Sequence, residues 1–118
     1  MSRIIDKETA PGYTWGDNCN AINLVNTETL SVKQESMPPH TKEVLHFHKH
    51  AQQFFYILKG TATFYCNGEK EMAHAQQGIL IAPEEQHFIA NETAEQLEFL
   101  VISQPATDKD RVNITPTH

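Results

Sequence analysis

The chain is a succession of short runs in which apolar and polar residues alternate, broken by turn residues, and no segment sustains a period of three to four. Residues 20–27 set Ile22 and Leu24 against Asn23, with Val25 breaking the alternation. Residues 30–37 place Leu30, Val32 and Gln34 on one face and Ser31, Lys33 and Glu35 on the other, so one of the two faces is expected to be buried. Pro38-Pro39 ends that strand, because neither proline can donate to a ladder. Residues 41–44 lead into the next strand, which carries His46, Phe47 and His48. The run 53–58 reads as a buried strand that stops at Gly60. Residues 61–66 oppose Thr61, Thr63 and Tyr65 to Ala62, Phe64 and Cys66. Asn67-Gly68 is a strong hairpin signal, since a type I′ turn needs positive φ at both central positions. Residues 69–75 return as its partner, 79–82 and 87–90 form the next pair, and 96–103 make the last strongly apolar strand. About eight to ten short strands with turns between them predict an all-β sandwich or barrel.

The two ends read differently. Residues 1–18 hold Pro11, Gly12 and Gly16 among polar residues, and Tyr13 and Trp15 are expected to anchor them as an arm over the domain or over a partner subunit. From Gln104 onward the expectation is a tail along the surface, with Asp110 and Arg111 in a local ion pair.

With 118 residues the chain is expected to be one domain. Its formal charge of -6 argues against nucleic acid as a partner, since phosphate binding relies on a clustered basic face. No segment approaches the roughly 18 apolar residues of a membrane span, and the first residues lack the apolar stretch of a secretory signal, so a cytoplasmic location and no membrane partner are expected. Cys19 and Cys66 have no CxxC spacing and read as thiols.

Candidate chemistry lies in two places. His46 and His48 are i and i+2, on one face of a strand and about 7 Å apart, close enough for both imidazoles to converge on one cation. Gln53 follows with an amide oxygen at the head of the apolar run, and strand parity puts Gln53, Phe55 and Ile57 on one face. Downstream, His87 follows Ile79-Leu80-Ile81 and the breaker Pro83, with Asn91 four residues later. Three imidazoles and one oxygen donor suit a borderline divalent ion, Fe, Mn, Ni, Cu, Co or Zn, and the donor set does not choose among them. Glu43, Glu84 and Glu85 are carboxylates near the expected pocket mouth.

At these residues the chain resembles the cupin superfamily. The first family motif, G-x5-H-x-H-x4-E-x6-G, is matched here by His40, His46, His48, Gln53 and Gly60, and the second, G-x5-P-x-G-x2-H-x3-N, by Gln76, Ala82, Glu84, His87 and Asn91. The histidines, the asparagine and every interval are kept. His40, Gln76, Ala82 and Glu84 depart from the motif, Gly78 and Pro83 being the nearby residues expected to supply the turns, and Gln53 replaces the usual Glu ligand. The resemblance implies a double-stranded β-helix, the cupin jelly-roll barrel, over residues 25–103, preceded by an arm and first strand at 1–24 and followed by a tail at 104–118. It implies a metal held by His46, His48, Gln53 and His87, and a homodimer.

Two functions follow as expectations. One is a small-molecule metalloenzyme of the dioxygenase, isomerase or lyase class; small cupins that act on unsaturated uronates are similar in carrying Gln at the Glu position. The alternative is a binding or sensing module that holds a small ligand without turning it over. Because ligating imidazoles must be unprotonated, metal affinity is expected to fall as pH drops through about 6.5.

Overall fold

The computed structural model describes residues 3–114; residues 1–2 and 115–118, with His118 and the end of the expected tail, lie outside the described residues. Every regular element among the described residues is a strand: β1 Gly12–Trp15, β2 Cys19–Asn26, β3 Ser31–Met37, β4 Thr41–Lys42, β5 His46–His48, β6 Gln52–Lys59, β7 Thr61–Cys66, β8 Glu69–His74, β9 Gly78–Ile81, β10 His87–Asn91, β11 Leu97–Gln104 and β12 Arg111–Asn113. One sheet runs β1-β2-β3-β11-β6-β9 and the other β12-β5-β10-β7-β8, with β4 also on β10. All pairings are antiparallel. This is the double-stranded β-helix that the sequence motifs imply.

Alternation decides what faces inward. On β6 the inward residues are Gln53, Phe55 and Ile57, on β7 Ala62, Phe64 and Cys66, and on β11 Leu97, Phe99, Val101 and Ser103, all buried. The register sets Ile57 opposite Phe99 but Gln53 opposite Ser103. One end of the barrel is therefore packed with rings and aliphatic chains, and the other end turns polar. At the apolar end Phe55 lies 5.2 Å from Phe64 and 6.0 Å from Phe99, between ring centroids.

On β3 the inward face is the polar one. Ser31 and Met37 are buried at its ends, whereas Leu30 is exposed. Val25, where the alternation breaks, follows a register shift between Asn23 and Val25, a bulge that absorbs the misplaced residue. Within the segment after Gln104, residues 111–113 form β12 along the edge strand β5, with Arg111 opposite His48.

The turn chemistry differs from the motif-based expectation. His40, Gln76 and Glu84 themselves adopt φ of 59°, 68° and 70°, so non-glycine residues occupy the left-handed conformations that the family motif gives to glycine. Gly78 instead serves close packing in β9, since a Cβ there would stand 2.6 Å from the Phe55 carbonyl oxygen. Gln76 is exposed. Replacing it with glycine should raise stability by about 0.5–1 kcal/mol, the relief of the left-handed strain less the extra freedom of the unfolded chain. Urea unfolding checks this; an unchanged or lower midpoint would mean that the turn carries no strain.

Candidate metal centre

The polar end of the barrel is assembled from both sheets. β5 presents His46 and His48 on its inner face, and β10 sets His87 opposite His46. Gln53 reaches across from β6 in the other sheet. All four residues are buried. Ring centroids stand 4.3 Å apart for His46 and His87, 5.1 Å for His46 and His48, and 5.9 Å for His48 and His87. One nitrogen from each ring falls within 4.8 Å of the others, a set that could hold a metal ion.

The hydrogen bonds fix which nitrogens face the centre. His46 Nδ1 lies 2.8 Å from the Val44 carbonyl oxygen, and His87 Nδ1 2.8 Å from that of Glu85. A carbonyl only accepts, so in each neutral ring the proton sits on Nδ1 and Nε2 carries a lone pair. Gln53 donates its Nε2–H to Ser103 Oγ at 3.0 Å, and its Oε1 is left 3.2 Å from His87 Nε2. Two lone pairs thus face each other. A proton between them would require an imidazolium, and burial holds the His87 pKa below its ordinary value. Neither ring nitrogen of His48 has a hydrogen-bond partner, although both are buried.

This arrangement fits a cation. Three neutral imidazoles and one amide oxygen form a borderline donor set suited to a divalent transition ion, and the buried, unpaired acceptors are those an ion would satisfy. Burial, reinforced by Arg111 and His87, lowers the His46 pKa to about 3. Burial, then His87 and Arg111, lowers that of His48 to about 4. The expectation that affinity begins to fall at pH 6.5 is therefore corrected: these imidazoles stay unprotonated well below that value, and proton competition moves down with them.

Asn91 lies away from the cluster. Its amide nitrogen donates to the carbonyls of Met37, Pro38 and Glu95, and its Oδ1 accepts from the Thr93 N–H and hydroxyl. It braces the loop after β10. The expected Asp110–Arg111 pair does not form among the described contacts. Asp110 accepts from the backbone N–H of His50 and Ala51, which outweigh its burial and lower its pKa. Arg111 instead points Nη1 at Glu43 Oε2, 3.8 Å away.

A cavity of about 450 Å³ opens from His46, His48 and Gln53. Phe55, Ile89 and Val101 form apolar wall; Lys33, Glu35 and Glu43 supply charge. Glu43 is locked to β10 twice, since its N–H donates to the Ile89 carbonyl and its Oε1 accepts the Ile89 N–H, both at 3.1 Å. Burial raises the Glu43 carboxyl to about 8 against the pull of Arg111. Burial raises Glu35 to about 7, against Lys33 and Arg111. Sequence reading had Glu43 among several carboxylates near the mouth and gave Lys33, Glu35 and Arg111 no site role. For the first two the available signal was parity with Met37 on β3; Arg111 had none, because its place depends on β12 docking. Cys19 and Cys66 are buried free thiols, and burial raises both pKa values.

These shifts have opposite signs for stability. Each buried histidine binds a proton more readily when unfolded, so the metal-free protein loses stability as pH falls below about 6.5 toward the folded values near 3 and 4. Glu35 and Glu43 bind a proton more readily when folded, so stability falls as pH rises from their unfolded value near 4.5 through about 7 and 8. Between 4.5 and 6.5 the three histidines outweigh the two carboxyls. The metal-free protein should be most stable near pH ~6.5. Thermal melting across pH 4–9 in chelator checks this, and a monotonic profile would contradict the burial of one set.

Residues 33–103 match the family model described as Cupin domain. Among curated proteins none matches the sequence significantly. A predicted oxalate decarboxylase from Thermotoga maritima superimposes with a TM-score of 0.80 at 19% identity, over 87% of this chain and 99% of its own. KdgF from Halomonas sp. gives 0.82 at 12% identity, over 92% and 97%. The polyketide cyclase RemF from Streptomyces resistomycificus gives 0.82 at 15% identity, over 99% and 88%. At these identities the likeness is one of fold.

Proposed function

The chain belongs to the cupin domain family, and from that premise we propose that it is a divalent-metal-dependent enzyme acting on a small oxygenated molecule by proton transfer, in the isomerase or lyase class. The observation that carries the metal reading is the buried, unpaired state of the His48 nitrogens beside the facing lone pairs of His87 and Gln53. His46, His48, Gln53 and His87 would hold the ion, which when bound supplies Lewis acidity toward a substrate oxygen.

The rest of the chemistry belongs to the chain. Phe55, Ile89 and Val101 keep the inner wall dry. Glu43 and Glu35 hold carboxyls tuned close to neutrality, where one group both accepts and returns a proton efficiently. A proton taken from a carbon beside a substrate carbonyl would move to one carboxylate and be returned to a second atom, or leave with a departing hydroxyl. That pair favours proton transfer over dioxygen chemistry within the expected enzyme classes.

A homodimer through the outer face of the β1–β9 sheet accompanies this reading. Phe54, Leu80 and Ile102 line an apolar groove there with Leu30, and Leu80 is 61% exposed. A cytoplasmic setting, in which unpaired Cys19 and Cys66 stay reduced, is also proposed.

One purified sample tests the whole. Elemental analysis should find about one divalent transition ion per chain, light scattering should give twice the chain mass, and a panel of hydroxy and keto acids should yield a turned-over product. The Glu43→Gln protein should keep its metal and lose roughly 10²–10⁴ in rate. Ligand binding without turnover across the panel would replace the enzyme with a sensing module, and absence of metal would remove both.

A further inference from the structure

Six cavity residues lie outside the segment that matches the family model, among them Trp15 on β1 and Arg111 on β12. The polar groups of these two are underused. The Trp15 indole N–H is buried and has no acceptor in hydrogen-bonding geometry, although it is near enough to Glu35 to bias that carboxyl downward. An indole nitrogen can only donate. Arg111 commits Nε to Asn113 Oδ1 at 2.7 Å. Its two terminal nitrogens are loosely held, Nη1 at 3.8 Å from Glu43 Oε2 and Nη2 at 3.5 Å from the Val44 carbonyl oxygen. A planar fork of this kind is suited to a carboxylate.

Charge bookkeeping points the same way. Lys33, Lys42 and Arg111 line the cavity against Glu35, Glu43 and Asp108, and formally cancel. The four donors proposed for the ion are neutral, so a divalent ion would leave two positive charges uncompensated in a partly enclosed space, which an anionic ligand neutralises. The cavity of about 450 Å³ has room for ~15 water-sized groups at ~30 Å³ each, enough for a small multifunctional acid.

We propose that Trp15 and Arg111 form the end of the ligand site supplied by the flanking strands and select an oxygen-rich carboxylate, Arg111 taking the carboxylate and the Trp15 N–H a further oxygen. This rests on the metal reading of the four inner residues. The segments flanking the matched core thereby set specificity, while the core supplies the ion.

Trp15 is the sole tryptophan, so its emission reports on this end of the cavity alone. The zinc-loaded protein, its zinc content measured first, is titrated with malate, acetate and erythritol by calorimetry and by Trp15 fluorescence. Malate should bind and shift the emission, and erythritol should not bind. Arg111→Gln should weaken malate at least tenfold, Arg111→Lys should recover part of that loss, neither should change zinc content, and acetate, which lacks the further oxygens, should bind more weakly than malate. Trp15→Phe, read by calorimetry, should weaken malate several-fold. Equal malate affinity in the native and Arg111→Gln proteins, erythritol binding as tightly as malate, or no binding of malate to zinc-loaded protein would each overturn the proposal. Failure of the native protein to hold zinc would be a different result, removing the metal reading itself.

Discussion

The His87→Ala protein should bind zinc at least ~100-fold more weakly than the native chain while keeping the same barrel. Loss of even an outer partner of a metal ligand costs ten- to a hundredfold in affinity, so loss of an inner donor sets a floor at the upper end of that range. The geometry makes His87 the sharpest choice. It is fully buried, its Nδ1 is held by the Glu85 carbonyl, and its Nε2 faces Gln53 Oε1. Native protein at a zinc concentration 100 times its dissociation constant should gain about 2.7 kcal/mol of stability, and the variant should gain almost none. Thermal melting with and without zinc reads this directly. Gln53→Glu should move the other way and strengthen zinc binding, because an anionic oxygen would replace a neutral one beside a divalent charge. Equal zinc-dependent melting shifts in native and His87→Ala proteins would rule out the proposed ligand set.

Phe99→Ala should cost about 3–5 kcal/mol, through a wholly different mechanism. Phe99 is fully buried at the apolar end, between β3 and β6. Its ring packs 6.0 Å from that of Phe55, which also touches Phe64 and stands 6.2 Å from the His87 ring. Truncation leaves a void that the crossing strands cannot close. The loss should appear equally with and without zinc in urea unfolding, which separates it from loss of a ligand. A cost below about 1 kcal/mol would mean that the apolar end is not packed to normal interior density.

The cluster of three histidines and Gln53 was legible from sequence for local reasons. Two residues apart on a strand means one face, so His46 and His48 had to point together whatever the rest of the chain did. Gln53 shares the parity of Phe55 and Ile57, and all three are buried. The Asn67-Gly68 turn adopts φ of 50° and 85°, as a type I′ hairpin demands. By contrast, Lys33 and Glu35 alternate with residues that looked equally suited to facing inward, and composition alone did not say which face of β3 the barrel would enclose. The turns at His40, Gln76 and Glu84 were expected to borrow nearby residues, yet the backbone takes the strained conformation itself. Backbone N–H groups hold two of them there, Gln76 donating to the Ile57 carbonyl and Glu84 to that of His48. The pH range of imidazole protonation was misjudged because a reference pKa assumes water around the ring, and desolvation is a property of the closed barrel.

By itself, then, the order of residues determined the strand pattern, the hairpin and the three histidines with their glutamine, because each depends on side-chain direction within a few neighbouring positions. Only the tertiary structure decided that Gln53 from one sheet meets His87 from the other, that Glu43 is clamped between Ile89 and Arg111, and that Trp15 and Arg111 come to one cavity. Those outcomes depend on strand register and on burial, which arise when segments distant along the chain exclude water together.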